Sequence, residues 1–443
     1  MLSYLSTKDF NIKKKFDIGL SKINTLRAFE RYMVYFWILG PFIYLIERDP
    51  ADLWLSLIAV IFLIRCTIKK DWTWIGQKWF VFAFLLWITG LVSSILGPYK
   101  DFSFLQGFVW IRFPIYAAAA QVWLGKDDNI RIVMFVSILI GMIIMCAILT
   151  AEIFLDGPKT RLMWPYGDLV PGSYLTKISL PVYCALIVTL TFNLARKKIL
   201  SFTLCIFSLI IVFFTGERGN FLIRFFSGVF ALFSFKPNLK NGLKIFSVFF
   251  ILILLFSVLF AKFNKTLFDR YTTSFFNSIP VLNMSDKNYY WGAWRSGIQQ
   301  GFSKPIIGLG PSSLRKNCKQ VGYDDNSMPI YKLNSPEIKW LPGKNYCGNH
   351  PHNFYIQLFA ETGIIGLILG SLMFFYIIKT CYDEKLSNPN CILTSICYII
   401  PLAFFFPLQQ TGSFFGQWNN LFIWFPIGFC LSQIQNYKSI FRK

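Results

Sequence analysis

About twelve stretches of this chain are apolar runs of the kind that cross about 30 Å of hydrocarbon, and nothing else in the sequence constrains the fold as strongly. They lie at roughly 33–46, 51–68, 79–97, 105–124, 130–154, 175–194, 199–216, 219–235, 244–262, 353–379, 391–408 and 418–435. In lipid only a helix or a closed barrel satisfies its own backbone polar groups, and runs of this length fit helices. The expected fold is therefore an all-α polytopic membrane protein of about 12 transmembrane helices. Composition agrees: 55% of residues are hydrophobic and only 15% charged, against roughly 25% charged in a soluble globule.

The 44 Lys and Arg against 22 Asp and Glu give a net charge of +22, which in a soluble protein would suggest nucleic acid. Their distribution argues otherwise. With the N-terminus placed inside, one set of alternating loops carries 24 basic residues and the short loops opposite carry six (Arg48, Lys100, Lys159, Arg161, Lys177 and Arg218). Cytoplasmic loops carry the positive excess, so both termini are expected inside. The same bias explains the charge without a nucleic-acid partner.

Three parts follow. Residues 1–262 form an N-terminal transmembrane bundle of about nine helices, 263–351 a large periplasmic loop domain, and 352–443 a C-terminal bundle of about three helices. A loop this long is functional or a small domain of its own. It reads as short helical pieces, the first over Lys287 to Phe302 and closed by the Pro305 to Gly310 turn.

Both histidines of the protein fall in Asn349-His350-Pro351-His352-Asn353, where the loop returns to the membrane. Imidazole is the side chain whose ordinary pKa suits proton transfer near neutrality. His352 and Asn353 could equally cap the tenth helix. No Asp, Glu or Cys completes a metal-ligand spacing with the two histidines, and the ten cysteines contain no CxxC pair, so no metal or cofactor is expected. A second constellation is Glu217-Arg218-Gly219-Asn220 at the outer end of two runs. A guanidinium at a helix start, beside free N–H groups, is an anion receptor suited to a diphosphate. Arg161 lies in another outer loop, and Arg112 and Arg224 fall inside predicted spans, where ionisable groups are functional candidates or snorkel. Cys318 and Cys347 are the two cysteines of the outer loop. They are expected to pair in an oxidising compartment, with a stabilisation of roughly 3–4 kcal/mol.

These residues resemble the O-antigen ligase and O-antigen polymerase superfamily of bacterial inner-membrane proteins. The ligase pattern R-x-x-x-L is matched by Arg218 to Leu222, and H-[NSQ]-x9-G-x-x-[GTY] by His352, Asn353, Gly363 and Gly366. Trp294 and the Pro305 to Gly310 turn also look like the family's loop pattern. The likeness is best over roughly 200–375. It implies a GT-C-like, metal-independent, inverting glycosyltransferase of lipopolysaccharide biosynthesis, multi-pass in the inner membrane with its active site on the periplasmic side. The donor would be O-antigen polysaccharide on undecaprenyl diphosphate and the acceptor a sugar of the lipid A core. His352 would be the general base and Arg218 a catalytic and diphosphate-binding residue, joined by Arg161, Arg112 and Arg224. His350, Asn353 and Glu217 would support them.

Three alternatives remain open from sequence: a polymerase using the same donor, glycan transfer to a protein, and a lipid-linked glycan transporter. Against the transporter, the halves show no internal repeat. The topology is directly testable. A cysteine introduced at position 320 should react with membrane-impermeant reagent from the outer side only; labelling solely from the cytoplasm would overturn both the loop assignment and the outer placement of His352.

Overall fold

The computed structural model describes residues 12–157, 161–167, 171–190, 195–235, 242–248, 250–251, 264–285, 288–323, 329–333, 348 and 350–434. Helices occupy most of the described part of each predicted run, yet these are not twelve unbroken spans. Among the described residues four helices are long and apolar enough to cross a membrane: Arg48–Lys69, Lys78–Leu96, Asp128–Asp156 and Phe354–Ser387. A fifth span is formed if Pro171–Ile178 and Leu180–Thr189, bent by 55°, count as one.

Proline and glycine account for much of the fragmentation. The first run divides at Gly40-Pro41 into Ala28–Ile38 and Gly40–Ile46. The 105–124 run divides into Lys100–Trp110 and Arg112–Trp123, and the 391–408 run into Ile392–Cys397 and Ile399–Phe404, with Pro114 and Pro401 just inside the second piece of each. Proline lacks the N–H that would continue the preceding turn, so it sits where a helix begins afresh. The loop also departs from the helical expectation. Cys318–Tyr323 and Pro329–Leu333 form an antiparallel hairpin, with Cys318 opposite Leu333, Tyr323 opposite Pro329 and a register irregularity between Gln320 and Gly322.

Small residues set the closest helix approaches. Ala117 to Ala120 are all fully buried, and a side chain at Gly428 of the helix Gln417–Leu431 would meet Ala120 Cβ at 3.2 Å. Without water to drive helices together, such close backbone packing supplies the attraction. One end of the bundle is tied by charge. Glu30 accepts from Arg65 at 3.1 Å, from Lys126 at 2.6 Å and from Lys69, bringing together three of the cations that the loop census places on the inner side. Burial alone would raise the Glu30 pKa, but the Lys126 and Lys69 hydrogen bonds bring it down to about 2.

The long helix Phe354–Ser387 is broken at Gly363, whose φ is 66°. The Pro305 to Gly310 turn inserts at that break. Ile364 N–H donates to Pro305 O at 2.8 Å, Leu309 N–H to Ala360 O at 3.0 Å and Gly310 N–H to Glu361 O at 2.8 Å, while Ser93 Oγ donates to Glu361 O at 2.6 Å. A Cβ at Gly363 would collide with the Ile306 carbonyl, and one at Gly308, φ 80°, with the backbone of Glu361 to Gly363. Gly363→Ala and Gly308→Ala should each cost about 2–4 kcal/mol from the combined clash and left-handed backbone. Gly157→Ala also has positive φ, but its Cβ meets nothing, so it should cost only about 1–2 kcal/mol. Thermal unfolding of the detergent-purified variants measures the difference.

Candidate active site

The histidine segment is organised by Asn353. Its Oδ1 accepts from Tyr355 N–H at 3.0 Å and Ile356 N–H at 3.1 Å, capping the long helix, while its Nδ2 donates to Pro407 O at 2.7 Å. Capping therefore belongs to Asn353 and leaves His352 free for another role. His352 has a φ of 56°, uncommon for a residue with a Cβ. Two contacts with Thr411 hold it there. Thr411 N–H donates to His352 O at 3.0 Å, and His352 Nδ1 lies 3.2 Å from Thr411 O. A carbonyl only accepts, so Nδ1 carries the hydrogen and Nε2 keeps the lone pair.

Aromatic rings surround that imidazole. The Tyr290 ring lies edge-on at 5.1 Å, Tyr289 at 6.1 Å and His350 at 4.3 Å between centroids. Burial lowers the His352 pKa, so the ring is neutral at neutral pH. Burial, and then the neighbouring His352, push His350 further, to about 3. Neither ring nitrogen of His350 makes a well-formed hydrogen bond among the described residues, although the Thr411 backbone lies close enough to oppose part of that shift. It borders a cavity of about 10 Å³ lined by Ser296, Gln300 and Pro351 among others, room for about one water.

The second half of the site is cationic. Arg218 begins the helix Arg218–Ser234, whose first N–H groups have no intrahelical partner. Its guanidinium donates to Ser274 O at 2.8 Å, and Arg270 donates to Gly216 O at 2.7 Å. Arg270 is lowered in pKa first by burial and then by the positive charges of Arg161 and Arg218, so three guanidinium groups share one region. Glu217 lies within electrostatic range of Arg161, but its hydrogen bonds go elsewhere. It accepts from Gly172 N–H at 3.2 Å and from Asn220; burial raises its pKa and nearby Lys177 partly offsets that.

One segment joins the two halves. A Cβ placed on Gly219 would lie 3.5 Å from Gln409 Nε2 and 3.8 Å from Gln410 O, so this helix start packs near that segment, and the next residue is the Thr411 that holds His352. Tyr290 is within electrostatic range of Arg270 while its ring contacts His352. Of the residues expected from sequence, the structure thus gathers His350, His352, Asn353, Glu217, Arg218 and Arg161. It does not gather Arg112 or Arg224. Arg112 pairs with Asp52 at 2.6 Å. Arg224 is fully buried among Leu175 O, Ser179 Oγ and Ser208 Oγ, with its guanidinium 4.0 Å over the Tyr183 ring. The Cys318 side chain and Cys347 lie outside the described residues.

Sequence reading missed Arg270, Tyr290 and Thr411. The pair Arg270-Tyr271, polar and aromatic in an outer segment, was a weak signal; Thr411 gave none, because its contribution is a carbonyl. Among the described residues no three His, Cys, Asp or Glu gather closely enough to hold a metal ion.

The family model described as O-Antigen ligase matches residues 203–370. That stretch contains Arg218, Arg270, Tyr290 and His352, and the match supports a likeness to the O-antigen ligase superfamily, whose members are membrane glycosyltransferase-like enzymes. No curated protein matches the chain.

The cationic half can be tested with inorganic pyrophosphate. At about tenfold above its Kd it should stabilise the wild-type protein by roughly 1.4 kcal/mol in thermal unfolding. Arg218→Ala, Arg161→Ala and Arg270→Ala should each reduce that gain, and Arg112→Ala should leave it intact.

Proposed function

Taking residues 203–370 as an O-antigen ligase domain, we propose that this protein transfers O-antigen polysaccharide from undecaprenyl diphosphate to a sugar hydroxyl of the lipid A core. The reaction takes place on the periplasmic side of the bacterial inner membrane, within a GT-C-like arrangement of about 12 spans. The observation that carries this reading is one segment, Gln409 to Thr411, meeting both the Arg218 helix start and the imidazole of His352. A base and an anion receptor side by side are what glycosyl transfer from a diphosphate needs.

His352 Nε2 takes the proton of the acceptor hydroxyl as its oxygen attacks the anomeric carbon. The bond from that carbon to the diphosphate oxygen breaks on the opposite face, and its electron pair leaves with undecaprenyl diphosphate. Configuration at the anomeric carbon inverts. Arg218, Arg161 and Arg270 stabilise the charge that develops on the leaving oxygen, and a fixed array of donors does so without reorganising. Thr411 O keeps Nδ1 protonated, so the lone pair stays on the nitrogen that must accept the proton. Glu217 aligns the start of the Arg218 helix against Gly172.

The deciding experiment incubates purified protein with undecaprenyl-diphosphate-linked glycan and lipid A core. Glycosylated core supports the proposal; extension of one lipid-linked glycan by another identifies a polymerase, and movement of donor across a vesicle without transfer identifies a transporter. His352→Ala should lower transfer by about 10²- to 10⁴-fold with folding retained. Arg218→Lys should also be impaired, because an ammonium does not reproduce the two-pronged grip of guanidinium on phosphate. A lowered imidazole pKa keeps the base unprotonated to lower pH, so the acid limb of kcat/KM should have its midpoint below the ordinary 6.5. An acid limb centred above that value would contradict the assignment.

A further inference from the structure

Behind His352, in the first two turns of the helix Phe354–Ser387, lies a polar pair that the reaction does not touch. Gln357 and Glu361 are both completely buried, at 0% exposure. Gln357 Nε2 donates to Glu361 Oε2 at 3.0 Å and to Ser413 Oγ at 3.1 Å, and Gln357 Oε1 accepts from Phe414 N–H at 2.8 Å. The backbone N–H groups of Ser312 and Leu314 also face the Glu361 carboxylate. A backbone N–H can only donate, so Phe414 fixes the oxygen end of the amide, and the NH₂ end is left to Glu361 Oε2 and Ser413 Oγ. Glu361 and Phe414 together hold the amide in one orientation.

The segment that Gln357 grips is the one that grips His352. Ser413 and Phe414 lie two and three residues beyond Thr411, whose carbonyl accepts from His352 Nδ1 and whose N–H bonds the His352 backbone. We infer that Gln357, oriented by Glu361, is a positioning residue for transfer: by fixing residues 413–414 it holds Thr411 at the distance that keeps the base in one tautomer and one orientation. The inference rests on the assignment of His352 as base. Partners that orient a reactive imidazole through its other nitrogen typically matter by 10- to 100-fold.

The test uses the full-length purified protein with undecaprenyl-diphosphate-linked glycan and lipid A core. Gln357→Ala should lower kcat about 10- to 100-fold and leave the donor KM within about twofold, because Arg218 and Arg270 are held by the carbonyls of Ser274 and Gly216 rather than by residues 413–414. Glu361→Gln should retain most of the activity, its amide oxygen still accepting from Gln357, whereas Glu361→Ala should follow Gln357→Ala. Stabilisation by pyrophosphate should survive in each, which a general loss of packing would not allow. Should Gln357→Ala fail to fold, Ser413→Ala removes one of the same bonds from the loop side and should lower kcat severalfold; added to a folded Gln357→Ala it should lower kcat no further. If Gln357→Ala, or Ser413→Ala in its place, keeps wild-type kcat while His352→Ala is inactive, the positioning role is overturned and the base assignment stands. If His352→Ala is itself active, the assignment of the base fails first.

Discussion

Hydrocarbon offers no hydrogen bonds, so every place where a membrane helix breaks has to be closed by another part of the same chain. Three such closures organise this structure. The turn at Pro305 to Gly310 supplies donors and acceptors to the gap at Gly363. Residues 405–414 cross between helices with their carbonyls taken up by Asn353, Tyr355, Asn419 and Asn420. The bend at Tyr174–Ile178, a single wide helical turn, is met by Arg224, which donates to the carbonyl of Leu175. Irregular backbone is kept where it has partners, and the candidate site is assembled on the second of these closures.

The closures also bring distant sequence together. Asn353 and His352 are held to Pro407 and Thr411, more than fifty residues away. The start of the Arg218 helix meets the same crossing segment at Gly219, whose Cβ position lies within van der Waals reach of Gln409. A base and a cationic receptor that belong to different helices are therefore referred to one short piece of backbone. Its geometry is in turn set by fully buried amides and a carboxylate, which have little freedom to rearrange in a low-dielectric interior.

Charge is arranged oppositely in two places. Around Glu30, three cations converge on one carboxylate. Around Arg270, guanidinium groups crowd one another while Glu217 is engaged with Gly172 and Asn220. Like charges held together store repulsion that an anion relieves, which supports a diphosphate as the ligand of that end. The first arrangement ties helix ends together; the second is suited to recognition.

The membrane character, the helical class and the two halves of the site were legible in the sequence for a simple reason: hydropathy, net charge and short motifs are local properties. Twenty apolar residues declare themselves without reference to any neighbour, and His352, Asn353 and Arg218 stand within a few residues of the patterns that mark them. The fragmentation of the runs was only half legible. Pro41, Pro114 and Pro401 announce helix starts, but the gap at Gly363 depends on which segment fills it. The sorting of arginines was not legible at all. Arg112, Arg161, Arg218, Arg224 and Arg270 are chemically identical, and only the fold decides that Arg112 meets Asp52, that Arg224 fills the core, and that the other three share a region. Composition and periodicity determined that the chain must be a helical bundle in a bilayer. The tertiary structure alone decided which polar groups face one another across it, because a carbonyl such as that of Thr411 has no signature of its own and acts only through what the folded chain sets beside it.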